Sequence, residues 1–173
     1  MADDMTRGVR STLTIAGHPI HPMLVPFPIG FLVGTLASDL AYWGMRDPFW
    51  ARGSMWLVGA GVVMGSLAAI FGLVDFLTIE RARGPTGWSH FLGNLVAVVL
   101  SLISLILRIG NPEAAVLPTA LILSFIVVGI LLVTGWLGGE LAYRFKIGVI
   151  EETTKPLSPA IAPAYGGQRP RRT

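Results

Sequence analysis

The chain has 173 residues, 53% of them hydrophobic and only 13% charged, with a mean hydropathy of +0.66. Average soluble domains carry about 25% charged residues. A soluble globule of this composition would expose large apolar patches, so a soluble enzyme and a nucleic-acid binder are both excluded despite the net charge of +3. The absence of cysteine excludes disulfides, covalently attached c-type haem and cysteine-ligated iron–sulfur clusters.

The first segment, residues 1–16, carries Asp3, Asp4, Arg7 and Arg10 without an apolar core followed by a small-residue cleavage site. It reads as a short cytoplasmic lead rather than a removable signal peptide. Residues 17–150 are expected to form the membrane domain. A helix needs about 20 apolar residues to cross the hydrocarbon, and four stretches qualify, at about 22–43, 53–75, 88–108 and 114–140. The expected fold is all-α, an up-down four-helix bundle integral to the membrane.

Three histidines stand at the start of apolar runs: His18 and His21 before the first, His90 opening the third. Titratable, metal-competent side chains at a membrane boundary are expensive and mark candidate sites. Residues preceding proline avoid the helical region, so His18 and His21 should both be extended. Pro26 and Pro28 would deprive the carbonyls of Pro22 and Leu24 of their helical donors if the helix starts at Pro22. The alternative is a looped entry with the helix starting near Pro28. Asp39 is the sole charge inside the first run, and Asp75 ends the second, where His90 or Arg144 could hold it ionised.

Small residues four apart imply close helix packing: Gly30, Gly34 and Ser38 in the first helix, Gly61, Gly65 and Ala69 in the second, Gly135 and Gly139 in the fourth. In the third helix Asn94, Ala97, Ser101 and Ser104 share one face. Glu140 and Arg144 are four apart and can pair. Trp43, Trp50, Trp56, Trp88 and Trp136 read as interfacial anchors. From Glu151 the composition turns to Pro, Gly, Gln and Arg, and residues 151–173 are expected to be a disordered cytoplasmic tail.

An even number of spans puts both ends on one side. That side carries Arg7, Arg10, Arg81, Arg83, Arg144, Lys146, Lys155, Arg169, Arg171 and Arg172, against Arg46, Arg52 and Arg108 on the other. The bias predicts cytoplasmic termini in a bacterial inner membrane. On that topology His18, His21, Asp75, His90, Glu140 and Arg144 all belong to the cytoplasmic half, with Asp39 apart. The halves also rhyme: His21 matches His90, and Gly72-Leu73-Val74-Asp75 matches Gly138-Gly139-Glu140. A duplicated hairpin would relate the two histidines by a pseudo-twofold axis along the membrane normal.

Gly17-His18-Pro19-Ile20-His21-Pro22, Phe27-Pro28-Ile29-Gly30 and the later Asp39 resemble the opening of the bacterial membrane family called domain of unknown function 2231. Gly72-x-x-Asp75-Phe76, His90-x-x-x-Asn94 and the stretch Gly135 to Arg144 resemble the rest of its pattern. The resemblance runs from Gly17 to about Val149. It implies a four-helix inner-membrane protein without assigned chemistry, and a hint of electron transfer, because relatives are sometimes joined to Rieske-type domains. The histidine that often follows the family's ending is replaced here by Phe145-Lys146-Ile147-Gly148-Val149.

Three functions compete. A b-type haem could take His90 with His21, or His18, as axial ligands, with Asn94 nearby and Arg144 or Arg83 on the propionates; such a protein would exchange electrons with a redox partner. A divalent metal or a proton path could use His18, His21, His90, Asp75 and Glu140, with Asp39 needed for passage across. The third reading is a structural or partner protein, self-associating or not, whose polar residues merely hydrogen-bond between helices. No phosphate loop, nucleophile elbow or zinc-protease helix is present to suggest an enzyme.

Overall fold

The computed structural model describes residues 8–149; the expected tail from Glu151 and the first seven residues lie outside the described residues. Two short strands, β1 (Thr14–Ile15) and β2 (His18–Pro19), pair antiparallel ahead of the helices. Then come α1 (Ile20–Leu24), α2 (Pro26–Met45), α3 (Pro48–Thr78) and α4 (Pro85–Arg108). A short α5 (Pro112–Ala115) and a π turn lead into α6 (Leu121–Gly139), which ends in a second π turn, Glu140–Arg144. Four units are long and apolar enough to cross a membrane: 20–45, 48–78, 85–108 and 112–144. All four expected spans are therefore present, the third longer at its start and the other three at both ends than the hydropathy alone suggested.

The helix starts follow local chemistry. Proline opens α2, α3, α4 and α5, where its missing N–H is not needed. Asp47 caps α3 by accepting from the Phe49 amide at 2.9 Å, and Asn111 caps α5 through Ala114 at 3.1 Å. The first helix resolves differently from both sequence alternatives: it begins at Ile20, before Pro22, and passes through helical Val25 into α2. His21 is therefore helical, not extended as expected, whereas His18 is extended in β2. The pre-proline rule is a bias, and a proline in the first turn gives up no hydrogen bond there.

The helices form a ring in which α2 touches α3 and α6, and α4 touches the same two. Helices α2 and α4 thus lie diagonally across the bundle axis. Large apolar side chains face outward, among them Val63, Ile70, Leu92, Ile106, Phe125 and Leu132. The inside is small or polar: Ala51, Ser54, Val58, Gly61, Gly65, Ala97, Ser101, Ser104 and Ser124 are buried. Lipid offers helices no hydrophobic reason to associate, so close backbone approach and polar contacts must hold them.

The expected packing stripes are partly displaced. At Gly61 an added Cβ would lie 2.6 Å from Leu32, and at Gly65 3.3 Å from Val98, but Gly30, Gly135 and Gly139 face open space and Ala69 is exposed. The buried face of α3 continues through Ala68, and that of α6 through Thr134. The α4 stripe holds as expected and extends one turn further, to Arg108.

Arg108 and Asp39 are both wholly buried and form a bidentate pair across the diagonal, at 2.7 and 2.8 Å. Arg108 also donates to Ser54 (2.6 Å), Ser104 (3.3 Å) and Ser124 (3.4 Å), and Ser124 donates to Asp39 at 2.6 Å. Arg108, counted above with the basic residues of the far side, is instead a buried member of α4: the desolvated Asp39 carboxylate draws it inward. Every N–H of the guanidinium has a partner, which low-dielectric burial demands. Truncating one partner strands the other charge, so Asp39→Ala or Arg108→Ala should each lower unfolding free energy by about 3–5 kcal/mol. Denaturant titration in detergent micelles measures it; a loss under about 1 kcal/mol would mean water reaches the pair.

Candidate functional site: a histidine pair across the bundle

His21 on α1 and His90 on α4 meet at the opposite end of the bundle from the ion pair. Their ring centroids are 6.4 Å apart and their planes perpendicular, at 89°. Each ring is held the same way by the second helix of its own hairpin. Nδ1 of His21 lies 2.8 Å from the Ala68 carbonyl oxygen, and Nδ1 of His90 lies 2.9 Å from that of Thr134. A carbonyl only accepts, so Nδ1 carries a proton in both rings, and in a neutral ring Nε2 is then the nitrogen with the lone pair.

Four residues beyond each carbonyl is a glycine on which the ring rests. A Cβ on Gly72 would sit 2.7 Å from Cε1 of His21, and one on Gly138 3.1 Å from Cε1 of His90. Glycine at these two places is a steric condition for the rings to reach the axis. The duplicated-hairpin expectation gains a physical basis here: histidine, carbonyl and glycine recur in both halves.

The surroundings of the two rings differ. Asn94 donates to the His90 carbonyl at 2.7 Å, and its amide nitrogen is 3.4 Å from Nε2 of His90. Thr134 orients that amide by donating to Asn94 Oδ1 at 3.3 Å. Beside His90, Phe91 stacks on Phe76 at 5.0 Å with Trp88 edge-on to both.

The other expected site residues go elsewhere. His18 is exposed, with Nδ1 3.1 Å from Ala16 O. Asp75 bonds neither His90 nor Arg144: it accepts from Ser11 Oγ at 2.6 Å and from the Thr12 amide at 2.7 Å. The N-terminal segment crosses the bundle end and takes that carboxylate first. Glu140 pairs with Arg144 at 3.1 Å, as expected, on a largely exposed guanidinium. Among the described residues no group of three or more His, Asp or Glu forms a metal-ready cluster. The structure thus does not assemble the mixed nitrogen–oxygen set of His18, His21, His90, Asp75 and Glu140.

Sequence reasoning missed the Arg108–Asp39 partnership, although a signal existed. Asp39 follows His21 by eighteen residues and Arg108 follows His90 by eighteen. At about 1.5 Å per residue that spacing separates the two polar layers by roughly 27 Å, close to a bilayer's hydrocarbon thickness.

The family model for domain of unknown function 2231, described as a predicted membrane protein, matches residues 17–151. The chain belongs to this family. No curated protein and no solved structure matches it. The matched stretch contains both histidines, both glycines and the ion pair, but leaves out the strap residues Val9 to Thr12 that reach Asp75.

If glycine is a steric condition for the pair, Gly72→Ala should push His21 off the Ala68 carbonyl and cost about 1–3 kcal/mol. Gly138→Ala, with more room, should cost less. Thermal melts, together with loss of the hydrogen-bonded Nδ1–H proton resonance of His21, measure the effect; an unchanged resonance in Gly72→Ala would overturn it.

Proposed function

We propose that this chain is a bis-histidine membrane protein that holds a b-type haem between His21 and His90 for one-electron transfer. The observation that carries this reading is the close pair itself, 6.4 Å between ring centroids, with both Nδ1 atoms tied to backbone carbonyls. Backbone-anchored imidazoles of this kind are the usual state of metal-ligating histidine. The two rings, with centroids 6.4 Å apart, are the residues that would hold the group.

The donor set also selects among metals. A bare zinc site asks the protein for three or four ligands, and only two imidazoles meet here. Haem brings four ring nitrogens of its own and asks only for axial ligands. Diagonal helices facing across a bundle core are an ordinary setting for such a cofactor. When bound, haem would supply a reversible one-electron couple. The chain's own residues would do the rest: Ala68 and Thr134 carbonyls fix the tautomers, Gly72 and Gly138 make room for the rings, and Arg144 at the same end offers a cation for propionates. The charge bias of the loops supports a cytoplasmic histidine end in a bacterial inner membrane, where a redox partner would dock. With Arg108 counted as buried, only Arg46 and Arg52 remain opposite.

A purely structural role is favoured by one observation, the Asn94 amide 3.4 Å from Nε2 of His90. A proton path is disfavoured, because both oxygens of Asp39 are engaged by Arg108. Protein purified from haem-replete cells should show a Soret band that shifts on dithionite reduction. His90→Ala and His21→Ala should change or abolish it, and His18→Ala should not. A colourless wild-type protein that also fails to take up added haemin would leave the structural reading standing.

A further inference from the structure

We propose that the N-terminal strap and α1 form one hinged cover that carries His21, and that its opening admits a ligand to Nε2 of a fixed His90; this rests on the pair being a ligand-binding centre.

The two imidazoles are mounted unequally. His90 sits in α4, a helix of 24 residues. The Phe76–Phe91–Trp88 cluster flanks its neighbour Phe91, and Asn94 and Thr134 hold its own carbonyl and ring. His21 sits in α1, a helix of five residues with no buried member. Its junction with α2 is weak. Pro26 and Pro28 bring no N–H, so the carbonyls of Pro22 and Leu24 lack helical donors. The bonds Val25 N–H to His21 O (3.2 Å) and Ile29 N–H to Val25 O (3.4 Å) that bridge the junction are both long. A break of this kind is where a helix kinks.

On its other side α1 continues into the strap. The Ile20 amide donates to Leu13 O at 3.2 Å, and β1 and β2 reverse the chain through Ala16 and Gly17, both at positive φ. The strap lies over the histidine end and is fastened by a few bonds. Ser11 and Thr12 hold Asp75, the Thr12 and Thr78 hydroxyls meet at 2.5 Å, and Val9 exchanges backbone bonds with Lys146 (2.9 Å) and Gly148 (2.7 Å). Asp75 lies one turn beyond Gly72, the residue under the His21 ring. Releasing Asp75 therefore frees a lever whose far end is the imidazole. The Ala68 bond is the only hydrogen bond described for the ring itself.

The test uses the full chain in detergent without added haem, so it stands or falls separately from haem binding. Diethyl pyrocarbonate labelling, read by mass spectrometry, reports access to each imidazole, and hydrogen exchange reports strap opening. In Asp75→Ala, and to a lesser degree in Ser11→Ala, exchange at the Gly148 amide, which donates to Val9 O and not to Asp75, should rise about tenfold. His21 and His90 labelling should both rise with it, because the moving cover uncovers Nε2 of His90, while exchange at the α4 amides stays at the wild-type rate. Because the chain has no cysteine, Thr12→Cys with Thr78→Cys offers the opposite control. Oxidation should close the strap and suppress His21 labelling, and reduction should restore it. Faster exchange along α4 would mean general loosening of the bundle and would overturn the proposal, as would His90 labelling that stays at the wild-type rate. So would a stapled strap that leaves His21 labelling unchanged.

Discussion

Everything in this bundle depends on the bidentate contact between Asp39 and Arg108. A bilayer gives apolar helices no reason to choose one another, and the outer surfaces of these four are uniformly greasy. A buried charge is different, because it tolerates only the arrangement that pairs it. The guanidinium is satisfied by a carboxylate on α2 and by serines on α3, α4 and α6, so all four long helices are fixed at one level. Such pairs add little net stability against an apolar substitute, and their value lies in specifying one arrangement. With one layer set in register, the lengths of α2 and α4 carry His21 and His90 to the same height at the far end.

The sequence made the spans, the α4 polar face and the meeting of His21 and His90 at one end legible, because long apolar runs and rare titratable residues are strong signals. It misled where two weak rules met tertiary context. The pre-proline bias said His21 was extended, but the proline falls in the first helical turn, where it is harmless. Charge counting set Arg108 with the basic residues of the far side, but a side chain at the end of a polar helix face can point inward as easily as outward. Asp75 was assigned to the imidazoles because both lie at one end of the bundle. Residues 9–12, read as a featureless lead, reach it first. Nothing in the local pattern of Val-Arg-Ser-Thr announces a latch, since its partner is more than sixty residues away.

The histidine layer and the ion-pair layer are two uses of one plan. In each half, a helix entering with histidine carries a charged residue eighteen positions on, and the returning helix offers a carbonyl and a glycine to the ring. The halves diverge around that plan. The first has a fractured entry and a strap, and the second has Asn94 beside its histidine. A symmetric frame with unequal mountings suits a centre in which one ligand is constant and the other exchangeable.

The equivalence of positions 39 and 108 has a further consequence for assembly. Two copies of the first hairpin, meeting about the same axis, would bring aspartate against aspartate in a medium that cannot screen them. Two copies of the second would oppose arginine to arginine. Only unlike hairpins neutralise each other at this level. Opposite signs at matched positions act as a recognition code between the halves, written in one residue each.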